Sequence, residues 1–109
     1  MTVPPPTSGA DARRLALVVV IDLPEHGAEA FQRYEDGVLQ LLPRHGGRLE
    51  RRLRSADSRS EVHVVSFASD ADYASYLSDP QRQDHRELLD GVEVVQRVLR
   101  VADVLLPEG

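Results

Sequence analysis

The segment LALVVVI, residues 15 to 21, constrains the fold more than any other part of the chain. Both of its alternating faces are apolar: Leu15, Leu17, Val19 and Ile21 share one face, and Ala16, Val18 and Val20 share the other. A strand of this kind, rich in β-branched residues, is typical of the centre of a sheet that is covered on both sides. The rest of the chain therefore has to supply a cover for each face.

The length of 109 residues suits one domain. We predict a flexible leader over residues 1–13, which is rich in proline, a single domain over 14–105, and a short tail over 106–109. Two arginines before the apolar run resemble an export signal. The run stops at Asp22 and Pro24, and no small-residue cleavage site follows. We therefore favour a strand, and expect a cytoplasmic protein.

Charge and composition exclude several classes of function. The net charge is −5, and all 13 basic residues are arginines, so a nucleic-acid partner is not expected. No apolar stretch reaches the length of a membrane span. The absence of cysteine excludes disulfides and thiolate metal sites.

The remaining segments alternate between helix and strand signals. Apolar spacing predicts a helix from Pro24 to about His45, ended by Gly46 and Gly47. RLERRLR follows, with its arginines typical of a sheet-edge strand, and EVHVVSF completes a hairpin with it. Ser69 begins a second helix, and a short third one runs from Asp79 to Gly91. The last strand is VEVVQRVLRVADV.

This order, strand, helix, strand, strand, helix, strand, predicts an α+β ferredoxin-like domain with a four-stranded antiparallel sheet. Right-handed crossovers place both helical segments on one face of the sheet. The other face is also apolar, and the chain has no further element to cover it. We therefore expect a homodimer in which a second copy packs sheet against sheet through the helix-free face.

Three segments carry a resemblance to a known superfamily: FQRYEDGVLQLLPRHGGRL, VHVVSFASDADYASYLSDPQRQ and the closing valine-rich strand. Over residues 15 to 102 the chain resembles small bacterial proteins of uncharacterised function in the dimeric α+β barrel superfamily. Antibiotic biosynthesis monooxygenase domains belong to the same superfamily. The resemblance implies that two ferredoxin-like units form a dimeric barrel, and that a ligand binds in a cleft between sheet and helices.

The chain departs from the pattern of these relatives in ways that bear on activity. The cofactor-free, quinone-forming members rely on an asparagine and a tryptophan, and this chain has neither residue. Haem-degrading relatives need an axial histidine, for which His85 and His45 are formal candidates without a matching motif. The histidines have no paired metal-ligand spacing, so we predict no metal and no cofactor.

Several polar residues are candidates for a site, each beside a structural alternative. His63, within a strand, is either a general base or a hydrogen-bonded structural histidine. Tyr34 either donates a hydrogen bond to a ligand or fills the core. Arg97 either awaits an acidic ligand or pairs with an internal carboxylate. Arg48 and His85 are further ligand-binding candidates, and solvation is the alternative for both. Alternation leaves open which face His63 and Arg97 occupy.

Three functions remain open on the sequence. The first is the binding or transformation of a small aromatic or polyketide-like metabolite, with His63 and Tyr34 as catalytic residues and Arg97, Arg48 and His85 as ligand contacts. The second is a non-catalytic dimeric module that binds another protein, which a cleft filled by Phe31 and Phe67 would favour. The third is haem or metal binding. No nucleotide-binding fingerprint is present.

Overall fold

The computed structural model describes residues 14–107. The strands and α-helices in chain order are β1 (Leu15–Asp22), α1 (Ala28–Leu39), β2 (Gly47–Arg54), β3 (Ser60–Phe67), α2 (Asp70–Leu77), α3 (Pro80–His85) and β4 (Val95–Val101). Short 3₁₀ turns at Leu42–His45 and Arg86–Leu89 follow α1 and α3. The predicted leader, residues 1–13, lies outside the described residues, as do residues 108–109 of the predicted tail.

The strands form one four-stranded sheet in the order β2-β3-β1-β4. All three strand pairs are antiparallel, which confirms the predicted ferredoxin-like α+β fold. β1 lies at the centre beside β3, as its two apolar faces indicate. β2 is an edge strand, in agreement with its charged sequence.

The helices cover one face of the sheet and divide the core into two clusters. One cluster joins Leu17 and Phe67 of the sheet to Tyr76 of α2. The other joins Ile21 of β1 to Phe31, Tyr34 and Val38 of α1. The opposite, helix-free face carries residues that this chain leaves part-exposed or exposed, namely Val18, Val20, Val62, Val64, Leu99 and Val101.

The first helix is shorter than predicted at both ends. Pro24 belongs to a turn, in which the amide of Gly27 donates to the carbonyl of Pro24, and α1 begins only at Ala28. It ends at Leu39 because Pro43, four residues on, has no backbone donor to continue the ladder. Pro43 lies instead in the following 3₁₀ turn, which Gly46 closes at φ 66°. Gly46 thus has the positive φ that glycine favours at a helix C-cap, whereas Gly47 is the first residue of β2.

A β-bulge changes the predicted faces of β2. The alternation in RLERRLR placed Arg51 with Leu49 and Arg52 with Arg48. The register shifts by one residue between Leu49 and Arg51, so Arg51 pairs with Val64 and Arg52 with His63. Leu49, Arg52 and Arg54 therefore share the helix-covered face, and Arg48 and Arg51 lie on the other.

The last strand is also shorter than the sequence pattern predicted. β4 pairs only with β1, from Val95 opposite Asp22 to Val101 opposite Ala16. Pairing therefore ends close to where β1 ends, and the apolar residues beyond it stay outside the strand. The predicted caps of the shorter helices are confirmed, because Ser69 accepts from the amide of Asp72 and Asp79 accepts from that of Gln81.

Candidate active site

Helix α1 brings a carboxylate into the core beneath it. Phe31, Tyr34, Glu35 and Val38 are its buried residues, and they follow the i, i+3, i+4, i+7 spacing of one helix face. Glu35 is 8% exposed, although the other three residues of this stripe are apolar or aromatic. Its carboxyl group therefore meets the sheet rather than water.

On the sheet below, Glu61 of β3 is the buried centre of an ionic cluster. One carboxylate oxygen, Oε1, accepts from Arg52 Nε at 2.9 Å and from His63 Nε2 at 2.8 Å. The other, Oε2, accepts from Arg54 Nε at 2.8 Å. Arg52 also donates to Asp36 at 2.7 Å, which ties β2 to α1. We call these five residues the Glu61 cluster.

The bulge in β2 makes this cluster feasible. Arg52 pairs with His63 and Arg54 with Glu61, so both guanidinium groups lie on the same face as the buried carboxylate. Unbroken alternation from Leu49 would have turned both arginines to the other face. A buried carboxylate without these donors would carry a large desolvation penalty.

Electrostatics fix the protonation of the cluster near neutral pH. Burial alone would raise the pKa of Glu61, but the hydrogen bonds from Arg52, His63 and Arg54 outweigh it and lower that pKa below its usual value. Burial lowers the pKa of His63, and the attraction of Glu61 only partly offsets this effect. Glu61 is therefore an anion, and His63 is neutral at pH 7.

The anionic state of Glu61 decides the tautomer of His63. An ionised carboxylate can only accept, so Nε2 of His63 carries the proton that points to Glu61. The Nδ1 atom then has a free lone pair. It lies 3.7 Å from Oε2 of Glu35, which is too long for a direct hydrogen bond.

Glu35 has the most strongly shifted carboxyl group of the site. Burial raises its pKa to about 7, against the opposing influence of Arg52 and Arg82. Near neutral pH this carboxyl group is therefore divided between its acid and its base form. His63 and Glu35 together form a proton acceptor and a proton donor that face each other, which is the arrangement of general acid–base catalysis.

Both residues line a cavity of about 60 Å³ between the sheet and the helices, which we call the His63 cavity. Its aromatic walls are Phe67, Tyr73 and Tyr76. The hydroxyl of Tyr76 donates to the carbonyl of Val38 at 3.2 Å, and burial raises its pKa to about 12. Tyr76 is therefore a neutral wall residue rather than a proton carrier.

A second space adjoins the His63 cavity along the same face of the sheet. This Tyr34 cleft has a volume of about 220 Å³ and is lined by Phe31, Tyr34, Arg86, Leu89 and Val94. Arg82 of α3 and Gln96 of β4 line both spaces and so mark where they meet. Burial raises the pKa of Tyr34, whose phenol stays protonated near neutral pH.

The structure brings together only part of the residue set that the sequence suggested. His63 lines the His63 cavity, and Tyr34 lies in the adjoining cleft, so the two do not share one space. Arg97 pairs with Val20 and is exposed on the helix-free face. Arg48 pairs with Ser66 on that same face. Neither arginine lines the His63 cavity or the Tyr34 cleft.

The two histidines considered as haem ligands have structural surroundings in the fold. The ring of His85 is half-buried against α1, so close to Gly37 that a β-carbon there would lie 2.7 Å from it. His45 contacts the side chains of Ser75 at 2.7 Å and Asp79 at 2.6 Å. His45 thus connects the 3₁₀ turn after α1 to α2 and to the start of α3, and His85 packs α3 against α1.

Sequence reasoning missed Glu35, Glu61 and Arg82. The sequence did contain signals for the two carboxylates. Glu35 falls on the apolar stripe of α1, and Glu61 lies on the same face of β3 as His63 and Val65. A charged residue in phase with a buried face is a mark of a functional or paired group. Arg82 lies on a short polar helix, and no pattern distinguishes it from its exposed neighbours.

Residues 14–107 contain neither a metal-binding cluster nor a membrane-spanning helix. No group of three or more His, Asp or Glu side chains is arranged there to hold a metal ion. No helix in that range is long and apolar enough to cross a membrane.

Comparison with solved structures relates this architecture to known proteins. A candidate antibiotic biosynthesis monooxygenase from Nitrosomonas europaea superposes with a TM-score of 0.70 at 18% identity, over 90% of this chain and 96% of that one. SnoaB, a cofactor-independent oxygenase from Streptomyces nogalater, gives a TM-score of 0.67 at 18% identity, over 89% and 100% of the two chains.

The chain thus shares its ferredoxin-like α+β fold with these proteins. A nipsnap family protein of unknown function from Agrobacterium tumefaciens shares this fold as well, with a TM-score of 0.60 at 19% identity over 84% of this chain and 90% of that one. No family model matches the sequence, and no curated protein matches it. At these identities the likeness establishes the fold, and the site has to be argued from its own residues.

Proposed function

We propose that the protein binds a small molecule between its sheet and helices and moves a proton on it, with His63 as the base and Glu35 as the acid. The observation that carries the proposal is the position of these two groups, 3.7 Å apart at the edge of one cavity. Glu61 holds the required tautomer of His63. The expected reaction is removal of a proton from a weakly acidic C–H or O–H group, followed by its return at another atom.

The residues around the two groups favour a flat, aromatic ligand, as in the metabolites suggested by the resemblance. Aromatic rings line the His63 cavity and the Tyr34 cleft, and such rings stack with a planar molecule. The two spaces together approach the lower end of the volumes known for ligand pockets, about 300 Å³. A ligand would therefore occupy both, and lie against the side chains of Arg82 and Gln96 where they meet. SnoaB, with the same fold, is a cofactor-independent oxygenase, so chemistry without a cofactor is feasible in this architecture.

Exchange of carbon-bound protons tests this function without knowledge of the natural substrate. Acetylacetone in deuterium oxide serves as a probe, and NMR follows the loss of its central C–H signals. We expect the protein to accelerate this exchange, and His63→Gln or Glu35→Gln to reduce the acceleration by about 100-fold. Gln at position 63 keeps a donor for Glu61 while removing the base. Glu29→Gln, exposed on α1, is the matched control. Exchange at the buffer rate with wild-type protein would contradict the proposal.

A second candidate function follows from the small size of the His63 cavity. At about 60 Å³ it holds roughly two water molecules, far below a typical ligand pocket. On this hypothesis Phe31 and Phe67 fill the space between the sheet and the helices, and the Glu61 cluster is structural. The molecule is then a non-catalytic module that binds another protein. It predicts no proton exchange and no shift of cavity resonances with small aromatic probes.

Both functions are compatible with the homodimer, which we propose on the composition of the helix-free face. Leu53 at 41% exposure and Leu99 and Val101 at 40% each leave an apolar surface that a second sheet would cover. Sedimentation equilibrium tests the association. We expect a dimer at micromolar concentration, and a Val20→Asp variant whose dissociation constant is at least about 100-fold higher. A wild-type protein that stays monomeric at these concentrations would contradict it.

A further inference from the structure

The side chain of Arg82 is a cation without an anion in the walls of the proposed ligand site. Its guanidinium carbon lies 5.0 Å from the centre of the Tyr76 ring, over the face of that ring. Its Nε atom is buried and has no hydrogen-bond acceptor among the described residues. A buried donor without a partner is destabilising, so the arrangement favours an acceptor that arrives from outside.

The position of Arg82 connects it to both parts of the site. It lines the His63 cavity and the Tyr34 cleft, at the point where they adjoin. Within residues 14–107 no carboxylate lies at ion-pair distance from it, whereas Arg52 and Arg54 share Glu61. The guanidinium group is planar, and it binds a planar carboxylate through paired hydrogen bonds.

We propose that Arg82 anchors the anionic group of an acidic ligand, so that this site selects a flat, ring-bearing carboxylate over its neutral counterpart. The proposal rests on the ligand-binding function above and specifies the class of ligand for it. The ligand would span the His63 cavity and the Tyr34 cleft, with Arg82 at the point where the two spaces meet. The anion would take the place opposite Nε of Arg82 that the chain leaves without an acceptor.

Other charged groups around Arg82 set the pH dependence of such binding. Tyr34 and Glu35 interact with Arg82 from α1, and Tyr76 from α2. The charged and titratable groups around Glu35 itself are Arg82, Asp36, Arg52, Glu61 and His63. Glu35 changes charge near neutral pH, since burial raises its pKa to about 7. An ionised Glu35 would repel the ligand anion, so the affinity should fall as the pH rises through about 7.

Benzoate and benzamide, which have nearly the same shape and differ in charge, provide the test. Titration of the ¹⁵N-labelled protein at pH 6 should show benzoate shifting the amides of Tyr76, Arg82 and Gln96, with an affinity at least about tenfold above that of benzamide. Arg82→Gln should reduce benzoate binding to the benzamide level. Arg59→Gln removes the same charge from the exposed β2–β3 turn and should leave binding unchanged.

Equal affinities for the two probes, or benzoate binding that survives Arg82→Gln, would overturn the anion anchor. Benzoate shifts confined to the helix-free face would overturn it as well. If Arg82→Gln does not fold, the comparison of the two probes on the wild-type protein still decides. The deuterium-exchange assay separates the two proposals, since acetylacetone exchange that depends on His63 supports the acid–base function even where benzoate does not bind.

Discussion

The two faces of the sheet differ in a way that the usual partition of residues does not predict. The face beneath the helices buries Glu61 at 1% exposure and His63 at 3%, whereas the helix-free face leaves Leu99 and Val101 each 40% exposed. In most proteins charge is exposed and large apolar groups are buried. These exceptions favour the proposed ligand site on the covered face and the proposed interface with a second copy on the open face.

Among the changes to the covered face, removal of the central carboxylate, Glu61, should lower the stability most. Glu61→Ala leaves the buried His63 and the half-buried Arg52 without their shared acceptor, and we expect the free energy of unfolding to fall by about 3–5 kcal/mol. Urea denaturation measures the change. Glu93→Ala, at an exposed position before β4, should cost less than about 0.5 kcal/mol. Similar losses in both variants would show that the Glu61 cluster contributes nothing particular to stability.

The sequence predicted which residues share a face of β1 and of β3, because side chains along a strand alternate with a fixed period of two. Alternation placed His63, Val65 and Phe67 on one face of β3, and the register confirms it. The apolar positions of LALVVVI placed β1 at the centre. These patterns succeed because adjacent side chains in a strand must point in opposite directions.

The faces of β2, the end of α1 and the position of Arg82 could not be predicted, because they depend on features that no residue pattern indicates. RLERRLR alternates in either register, so the bulge that brings Arg52 and Arg54 to Glu61 was invisible. Leu41 and Leu42 continue the helical spacing past the end of α1, and burial in the 3₁₀ turn explains them equally well. The contact of Arg82 with the cavity comes from the packing of α3, which sequence spacing does not define.

Glu35, which meets the covered face of the sheet, allows a second test based on the pH dependence of stability. Its pKa is raised from 4.5 to about 7 in the folded protein, so folding favours its protonated form. Its contribution to stability is therefore fully present below about pH 4.5 and is lost as the pH rises to about 7, by on the order of 3 kcal/mol. Glu35→Gln should remove this decline from the unfolding free energy measured across that range. A wild-type and a variant curve that run parallel would contradict the raised pKa.

Two adjacent arginines provide the smallest and most local test. Arg52 faces the covered side and Arg51 the helix-free side, because the bulge lies before them. We expect Arg52→Gln to lower the unfolding free energy by about 1.5–3 kcal/mol, as its hydrogen bonds to charged groups are lost. Arg51→Gln should change it by less than about 0.5 kcal/mol. The reverse order, measured by the same denaturation, would show that the faces of β2 are assigned wrongly.

A ¹³C NMR titration of the glutamate carboxyl groups directly measures Glu35, the proton donor of the proposed acid–base pair. Glu61 is assigned in the same spectra for comparison. We expect Glu35 to titrate near pH 7, and Glu61 to stay ionised to below its ordinary value of 4.5. If Glu35 titrates near 4.5 instead, the site lacks its proton donor at neutral pH and the proposed acid–base function is wrong.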